Sequence, residues 1–212
     1  MALTAGTLAA CSGPYSALDP AGPAAASIAS LWTVMLWGAI AIFCALTACL
    51  TLAATRARAI KRVPARAWML YGGVVIPGIF LSLLLIVALA KGEALLHRAD
   101  AAASRIHVQA RMWSWEFSYP DSPGKAPTID VLHMPAGRPV DLVVTSADVI
   151  HSFWIPRLGG KIDAIPGHTN IIRLQADHPG TYHGICAEFC GAGHTRMLFA
   201  VEARDTATGD AR

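Results

Sequence analysis

The chain has 212 residues, of which 54% are hydrophobic and only 15% are charged. This composition is too apolar for an ordinary soluble domain. The formal net charge of +3 comes from one short basic loop between two apolar stretches, which leaves no room for a module that reads nucleic acid. We therefore expect a membrane protein and exclude nucleic acid as a partner.

Residues 1–27 form the first predicted segment, a leader followed by a linker. The run Leu8-Ala-Ala-Cys11 resembles the cleavage box of a bacterial lipoprotein, and acylation of Cys11 would tether the N-terminus to the outer leaflet. The preceding stretch lacks the basic region of a signal peptide, so lipidation of Cys11 and a plain packing role both stay open. Residues 12–27 are rich in Ala, Gly, Pro and Ser, which indicates an extracytoplasmic linker.

Residues 28–90 contain two long stretches without charge. No charged residue occurs between Asp19 and Arg56, and none between Arg66 and Lys91. Each stretch supplies the roughly 20 apolar residues that a helix needs to cross a bilayer, which makes a buried soluble hairpin the weaker alternative. The predicted spans are Ile28–Ala54 and Ala67–Ala90, and Pro77 interrupts the second.

The basic residues predict how the hairpin is oriented. The short loop between the spans carries five of them and no acid, namely Arg56, Arg58, Lys61, Arg62 and Arg66. By the positive-inside rule this loop is cytoplasmic and both termini lie outside. We expect a multi-pass protein of a bacterial inner membrane with its C-terminal domain in the periplasm.

The residue pattern changes after a connector at residues 91–104. Short β-prone runs alternate with Pro and Gly turns over residues 105–204, which indicates an all-β sandwich or barrel. The clearest runs are Ile129–Leu132, Val140–Thr145, Asn170–Leu174 and Met197–Val201. Residues 205–212 are expected to be a disordered tail.

A cluster of sulfur and imidazole ligands lies near the C-terminus. Cys186, Cys190, His194 and Met197 fall within one Gly-rich run, and His151 precedes them. Thiolate, thioether and imidazole together favour copper, and a mononuclear blue-copper centre needs only one thiolate. A second thiolate four residues from the first can bridge two copper ions, so the sequence favours a binuclear centre.

A disulfide, a zinc site and a helix face are the weaker alternatives for this run. A disulfide between Cys186 and Cys190 leaves the spacing of His194 and Met197 unexplained. A zinc site has little use for Met197. One face of a helix would suit the four-residue spacing, but the glycines of this run disfavour a helix interior.

The run Cys186-Ala-Glu-Phe-Cys190-Gly-x-Gly-His194-x-x-Met197 resembles subunit II of cytochrome c oxidase, a haem-copper oxidase. So do Ser146-Ala-Asp-Val-Ile-His151-Ser-Phe-Trp-Ile-Pro156 and Leu158-Gly-Gly-Lys161-Ile-Asp163. The resemblance covers nearly the whole chain. It implies a transmembrane two-helix hairpin followed by a cupredoxin-like Greek-key barrel that holds a binuclear Cu(A) centre.

The resemblance also implies a ligand set. Cys186 and Cys190 would bridge the two copper ions, and His151 and Met197 would complete one of them. His194 and the backbone carbonyl of Glu188 would complete the other. The carboxylate of Glu188 would face subunit I and help to bind a magnesium ion there, although a solvated loop carboxylate is the ordinary alternative.

An aromatic run, Met112-Trp113-Ser114-Trp115-Glu116-Phe117, opens the β domain. Trp113 matches the exposed tryptophan through which, in the family, cytochrome c delivers its electron. The family commonly has Gln before this position and an aromatic residue after it, where this chain has Met112 and Ser114. Trp115 is expected to be a core residue of a strand.

The function implied is that of an oxidase subunit: it would accept electrons from cytochrome c at Cu(A) and pass them to haem in subunit I, where dioxygen is reduced to water. Subunit III and membrane lipid are the other expected partners. Asp148 and Asp163 are candidates to hold the copper ligands, with exposed turn acids as the alternative.

Rival functions stay open at this stage. A quinol oxidase subunit II has the same fold, but that family lacks the copper ligands. A Cu(A)-containing subunit of a nitric oxide reductase, or a membrane-tethered copper carrier, fits the same residues. A nitrous oxide reductase would need a large additional domain.

Overall fold

The computed structural model describes residues 11–55, 64–95, 103–122 and 124–205. Contacts divide them into two units, one made of residues 30–95 and the other of residues 11–29 with 103–205. Four sequence predictions fall wholly or largely outside the described residues. They concern residues 8–10 of the lipoprotein-like box, the basic loop residues 56–62, the connector residues 96–102 and the tail residues 206–212.

Two helices of the first unit are long and apolar enough to cross a membrane. Helix α1 is Pro23–Thr55, and the second helical stretch consists of α2 (Ala65–Ala67), a π-helix (Trp68–Val75) and α3 (Ile76–Leu95). Their mean hydropathies are 2.2 and 2.7, and none of their most apolar residues is buried within the chain. Exposed apolar helices of this length are stable where lipid replaces water.

The π-helix lies directly before Pro77. A proline lacks an N–H and its ring collides with the carbonyl four residues earlier, so it interrupts an α-helix. Here the N–H of Ile76 donates to the carbonyl of Tyr71, five residues back, which is the wider spacing of a π turn. The second helical stretch therefore passes Pro77 as a continuous helix.

The two long helices contact each other at two levels. Lys91 Nζ lies 2.9 Å from Ser30 Oγ, and Gly38 faces the ring of Phe80, where a Cβ would lie 3.0 Å from the ring. Because rising residue numbers in one helix meet falling numbers in the other, the helices are antiparallel. This is the hairpin that the charge-free stretches predict.

The second unit is a β domain of ten strands. They are β1 Ser104–Arg111, β2 Ser114–Ser118, β3 Thr128–Ile129, β4 Val131–Pro135, β5 Val140–Ser146, β6 His151–Trp154, β7 Ile162–Ala164, β8 Asn170–Leu174, β9 Gly180–Cys186 and β10 Leu198–Arg204. One sheet has the order β3-β2-β1-β5-β8, and the other β4-β10-β9-β6-β7.

Aromatic side chains fill the space between the sheets. Trp115 and Phe117 of one sheet are fully buried, and both rings contact Phe153 and Phe199 of the other. Phe153 and Phe199 stack with centroids 4.7 Å apart. Burying each of these side chains contributes about 1.5–3 kcal/mol. Trp115 and Phe117 occupy alternate positions of β2 that face the core, as predicted for Trp115.

The predicted strand Ile129–Leu132 is split in the structure. Asp130 has a φ of 55°, the left-handed conformation that Asp tolerates better than most residues. Its Oδ1 accepts a hydrogen bond from the N–H of Trp115 at 2.7 Å. The chain therefore leaves the first sheet after β3 and enters the second at β4.

The segment before α1 is attached to the β domain. The N–H of Ala21 donates to the carbonyl of Arg157, and Ala25 donates to that of Leu158. Arg157 also forms an ion pair with Asp19 at 3.0 Å. The linker expected at residues 12–27 is thus partly ordered, and helix α1 begins at Pro23 rather than near Ile28, because backbone donors find partners on the domain.

Two apolar helices followed by a cupredoxin-like β domain confirm the predicted fold class.

One buried ion pair stands out in the domain: Arg173 of β8 donates twice to Asp141 of β5, at 2.7 and 2.9 Å. Asp141 is 1% exposed.

Loss of the Asp141 carboxylate is expected to destabilise the β domain. Removing one partner of a buried pair costs about 3–5 kcal/mol, and the partial exposure of Arg173 places Asp141→Ala near the lower end. Glu202→Ala, which breaks the pairs of this exposed carboxylate with Arg204 and His133, should cost about 1 kcal/mol or less. Thermal unfolding of the purified full chain in detergent compares the two, and equal losses would contradict the prediction.

Candidate metal centre

The site is built where strands of one sheet end. His151 is the first residue of β6 and Cys186 is the last residue of β9. These antiparallel strands are paired, with Phe153 opposite Cys186, so the two side chains come to the same edge of the sheet. The loop from β9 to β10 then supplies Cys190, His194 and Met197.

The ligand atoms converge on the two sulfurs of the cysteines. Cys186 Sγ lies 3.7 Å from Cys190 Sγ and 3.9 Å from His151 Nδ1. Cys190 Sγ lies 3.6 Å from His194 Nδ1 and 3.8 Å from Met197 Sδ. The structure thus brings these five predicted side chains together.

Glu188 takes part through its backbone. Its carbonyl oxygen lies 3.2 Å from Cys186 Sγ, while its carboxylate is exposed and lies 3.8 Å from Lys161 Nζ. Lys161 also lies 3.4 Å from Asp163. The carbonyl of Glu188 therefore lies beside Cys186, whereas its carboxylate lies beside Lys161. The two groups are placed to act separately.

Two of the alternatives to a copper site do not match the structure. Both cysteines are free thiols. The loop is not an α-helix: His194–Arg196 form a single 3-10 turn, and Gly191 has a φ of 110°, which glycine adopts without strain. A loop of this shape turns both sulfurs toward each other.

The site is shielded from water. His151 and Met197 are fully buried and Cys186 and Cys190 nearly so, and the atoms of His151 and the two cysteines lie within 4.8 Å of one another. Burial, together with the neighbouring Cys186, raises the pKa of Cys190 to about 12. A bound cation is the natural means of holding this group as a thiolate at neutral pH.

The imidazole of His151 is held by Asp148. Its Nε2 lies 2.8 Å from Asp148 Oδ1, which leaves Nδ1 facing the sulfurs. A carboxylate in this position fixes the tautomer and the ring orientation of a metal-binding histidine. Asp148 therefore has the contact expected of a residue that positions a ligand.

Asp148 also receives two main-chain hydrogen bonds. The N–H of Met112 donates to Oδ2 and the N–H of Val149 to Oδ1, both at 2.7 Å. Burial on its own would raise the pKa of Asp148, but the bonds from Met112, His151 and Val149 outweigh it and lower the pKa. The carboxylate thus links His151 to the turn that contains Trp113.

Trp113 lies directly beside the cluster. Its Nε1–H donates to the carbonyl of Cys190 at 3.1 Å, and its ring is 41% exposed. A Cβ at Gly191 would lie 3.4 Å from the ring, and one at Gly193 would collide with it. The indole therefore rests on a glycine surface with one edge bonded to the loop and another open to solvent.

Sequence reasoning did not anticipate three of these contacts. It found the glycines of the loop but not that two of them support Trp113, and it missed the bonds from Met112 to Asp148 and from Lys161 to Glu188. The pairs are far apart in sequence, and no local pattern reports them. Trp115, by contrast, is in the core as predicted and lies against His151 with ring centroids 6.1 Å apart.

Comparisons with known proteins identify relatives of the β domain. A family model for the periplasmic domain of cytochrome c oxidase subunit II matches residues 126–204. Cytochrome c oxidase subunit 2 of Alkalihalophilus pseudofirmus is 42% identical over 106 residues, which are 50% of this chain and 30% of that protein. Quinol oxidase subunit 2 of Bacillus cereus is 42% identical over 99 residues, 47% of this chain and 33% of that protein.

A solved structure is similar over the same region. The periplasmic domain of subunit II of cytochrome oxidase (CoxB) of Bradyrhizobium japonicum is 30% identical, with a TM-score of 0.49, and the match covers 52% of this chain and 90% of that one. The chain spans about a third of the length of the two curated relatives. Those relatives are subunits of haem-copper oxidases, which are oxidoreductases. With its two apolar helices, the chain is a membrane-anchored protein, and its residues 126–204 match the family of cytochrome c oxidase subunit II periplasmic domains.

Proposed function

We propose that the chain is the subunit that accepts electrons in a respiratory cytochrome c oxidase. It takes single electrons from cytochrome c at a binuclear Cu(A) centre and delivers them to haem in subunit I, where dioxygen is reduced to water. The observation that carries this proposal is the pair of buried free thiols 3.7 Å apart, with two imidazoles, a thioether and a carbonyl around them.

The donor set fits copper better than zinc. Zinc sites are completed by four Cys, His or carboxylate ligands, and here a buried thioether, Met197 Sδ, lies 3.8 Å from a thiol. Sulfur and imidazole together suit copper in both of its oxidation states. Cys186 and Cys190 would hold both ions, His151 and Met197 one of them, and His194 with the carbonyl of Glu188 the other.

Two copper ions, when bound, supply a one-electron redox centre. The chain's own task is to keep the ligands in place in both oxidation states. Strand pairing fixes His151 against Cys186, and Asp148 fixes the ring of His151 at 2.8 Å. A rigid, dry surrounding limits reorganisation when the charge of the centre changes.

Trp113 is the proposed point at which electrons arrive. Its exposed edge can touch a donor protein, and its Nε1–H bonds to the carbonyl of the ligand Cys190 at 3.1 Å. The indole thus connects solvent to the backbone of Cys190. It supports the role that the family resemblance implies.

The remaining partners follow from the family. We propose that the carboxylate of Glu188 faces subunit I and contributes to a magnesium site there, with Lys161 as its neighbour in the free chain. Subunit III and membrane lipid complete the assembly. The copper domain and both termini lie on the periplasmic side of a bacterial inner membrane in this proposal, because the loop between the helices is basic.

A quinol-oxidising complex is the second candidate, since some relatives carry that name. A subunit that does not accept electrons from cytochrome c has no use for the complete ligand cluster found here. Purified complex supplied in turn with reduced cytochrome c and with a quinol distinguishes the two. Turnover with quinol alone would overturn the proposed donor.

The full chain, purified in detergent and loaded under reducing conditions, is expected to bind two copper ions. Cys186→Ser removes a bridging sulfur and should abolish the EPR hyperfine pattern from two coupled copper nuclei. Cys44→Ser, in helix α1, is the matched control and should change neither copper content nor spectrum. One copper per chain would favour a carrier, and zinc alone or a disulfide would contradict the proposal.

Asp148→Asn is expected to weaken copper binding about 10–100-fold, the usual effect of losing a carboxylate that holds a ligand histidine. Competition with a copper chelator measures the change. Asp121→Asn is a suitable control because Asp121 also accepts a main-chain N–H, that of Arg105, at the other end of β1. Unchanged affinity in Asp148→Asn would show that His151 does not depend on this contact.

Trp113→Gln is expected to slow reduction by cytochrome c about 30-fold, because loss of a central aromatic contact costs about 2 kcal/mol. Stopped-flow absorbance of the copper band measures the rate. Reduction by a small reductant such as ascorbate should be unaffected, and so should the copper spectrum. Equal rates with cytochrome c in variant and wild type would refute the role of Trp113.

A further inference from the structure

The surface around Trp113 has a charge that restricts its partner. We propose that this surface binds an electron-carrying cytochrome whose contact face is neutral or acidic, rather than one whose haem edge is ringed by lysines. The inference rests on the proposed function and narrows it to a class of donor.

Apolar side chains form the centre of this surface. Met112 and Trp113 lie in the turn between β1 and β2, and both are exposed. Val149 follows Asp148, whose carboxylate bonds to the N–H groups of both Met112 and Val149. The exposed side chains of Val149 and Ile150 are therefore held beside the turn, since one carboxylate connects the two loops.

The ligand loop continues the surface on the other side of the indole. Gly191 and Gly193 lie under the ring of Trp113, and the ring of Phe189 contacts His194 with centroids 5.7 Å apart. Phe189 is 76% exposed. An apolar centre of this kind around a redox site is typical of a protein interface.

The charged residues at the border of this centre are arginines. Arg111 directly precedes Met112. Arg196 is the last residue of the 3-10 turn that begins at His194, and the N–H of Arg196 donates to the carbonyl of Gly193. Both side chains are exposed. Among the described residues, neither has an ion pair with an acid.

The acids near the ligand cluster are engaged with other groups. Asp148 is 22% exposed on its side chain, and its oxygens are occupied by His151 and two main-chain N–H groups. Glu188 and Asp163 share one cation, Lys161, at 3.8 and 3.4 Å, which offsets one of their two charges. At the border formed by the Trp113 turn and the 3-10 turn, the exposed charges without an ion pair among the described residues are thus those of the two arginines.

Positive charge at the border selects among donors through steering and repulsion. Lysines around a haem edge would meet Arg111 and Arg196 at short range, and like charges across an interface reduce both association rate and affinity. Carboxylates or neutral polar groups in the same place would be accepted, with arginine able to donate twice to each carboxylate. Trp113 and its apolar neighbours would supply the shape complementarity and the apolar contact with the donor.

The test compares two forms of one probe: oxidised lysine-rich mitochondrial cytochrome c and its succinylated derivative, in which the lysines carry carboxylates. Binding to the full chain in neutral detergent is measured by biolayer interferometry as salt is raised. We expect the succinylated form to bind more tightly at low salt and to weaken as salt increases, because exposed charges are screened. The unmodified form should show the opposite trend or none.

Variants assign the effect to this surface. Arg111→Gln and Arg196→Gln should each weaken binding of the succinylated form about two- to fivefold at low salt, the range of exposed charge pairs. Arg138→Gln is the matched control. Arg138 precedes β5, and the parallel register of β1 and β5 places Val140 beside Ser104 and Ser146 beside Ala110. Arg138 thus lies about 20 Å from the Trp113 turn, at the other end of the strands.

Because the loop between the helices is also basic, only the variants can assign the charge effect to the surface around Trp113. If Arg111→Gln and Arg196→Gln behave like Arg138→Gln, or if the unmodified cytochrome binds the wild type more tightly at low salt, the inference is wrong. Copper content and spectrum, measured on the same samples, report separately on the proposed function. Loss of the two-copper signal would overturn that function, whereas a reversed charge preference with the signal intact would overturn only the inference.

Discussion

The pairing of β6 with β9 is the constraint on which the candidate metal centre depends. It brings His151 and Cys186 to one edge of a sheet, although 35 residues separate them in sequence. The other residues of the site are positioned relative to this edge. The ligand loop starts where β9 ends, and the core between the sheets holds the edge in place through Phe153, which pairs with Cys186 and stacks on Phe199.

The loop adds a second constraint, which is steric. Gly191 and Gly193 allow the indole of Trp113 to approach so closely that its N–H reaches the carbonyl of Cys190. A side chain at Gly193 would displace the ring. The same glycines that make a helix unfavourable therefore bring an exposed aromatic residue into contact with Cys190, which joins the surface to the buried cluster.

Asp148 joins the two sides of this arrangement. It holds the ring of His151 and, through the N–H of Met112, the turn that carries Trp113. Because one carboxylate contacts both groups, the position of the turn and the orientation of the His151 ring are coupled. The arginines around this turn then give the surface a sign of charge that the near-neutral composition of the domain does not reveal.

The sequence by itself determined the order of parts, because hydropathy and ligand chemistry are local properties. Charge-free stretches marked the two helices, and the sulfur and imidazole residues indicated a candidate metal site and the family that the chain resembles. Tertiary structure alone decided the attachment of residues 19–25 to the domain, the split of the predicted strand at Asp130, and the contacts of Trp113 and Asp148. These depend on residues brought together from distant parts of the chain, and such distances have no signature in a single sequence.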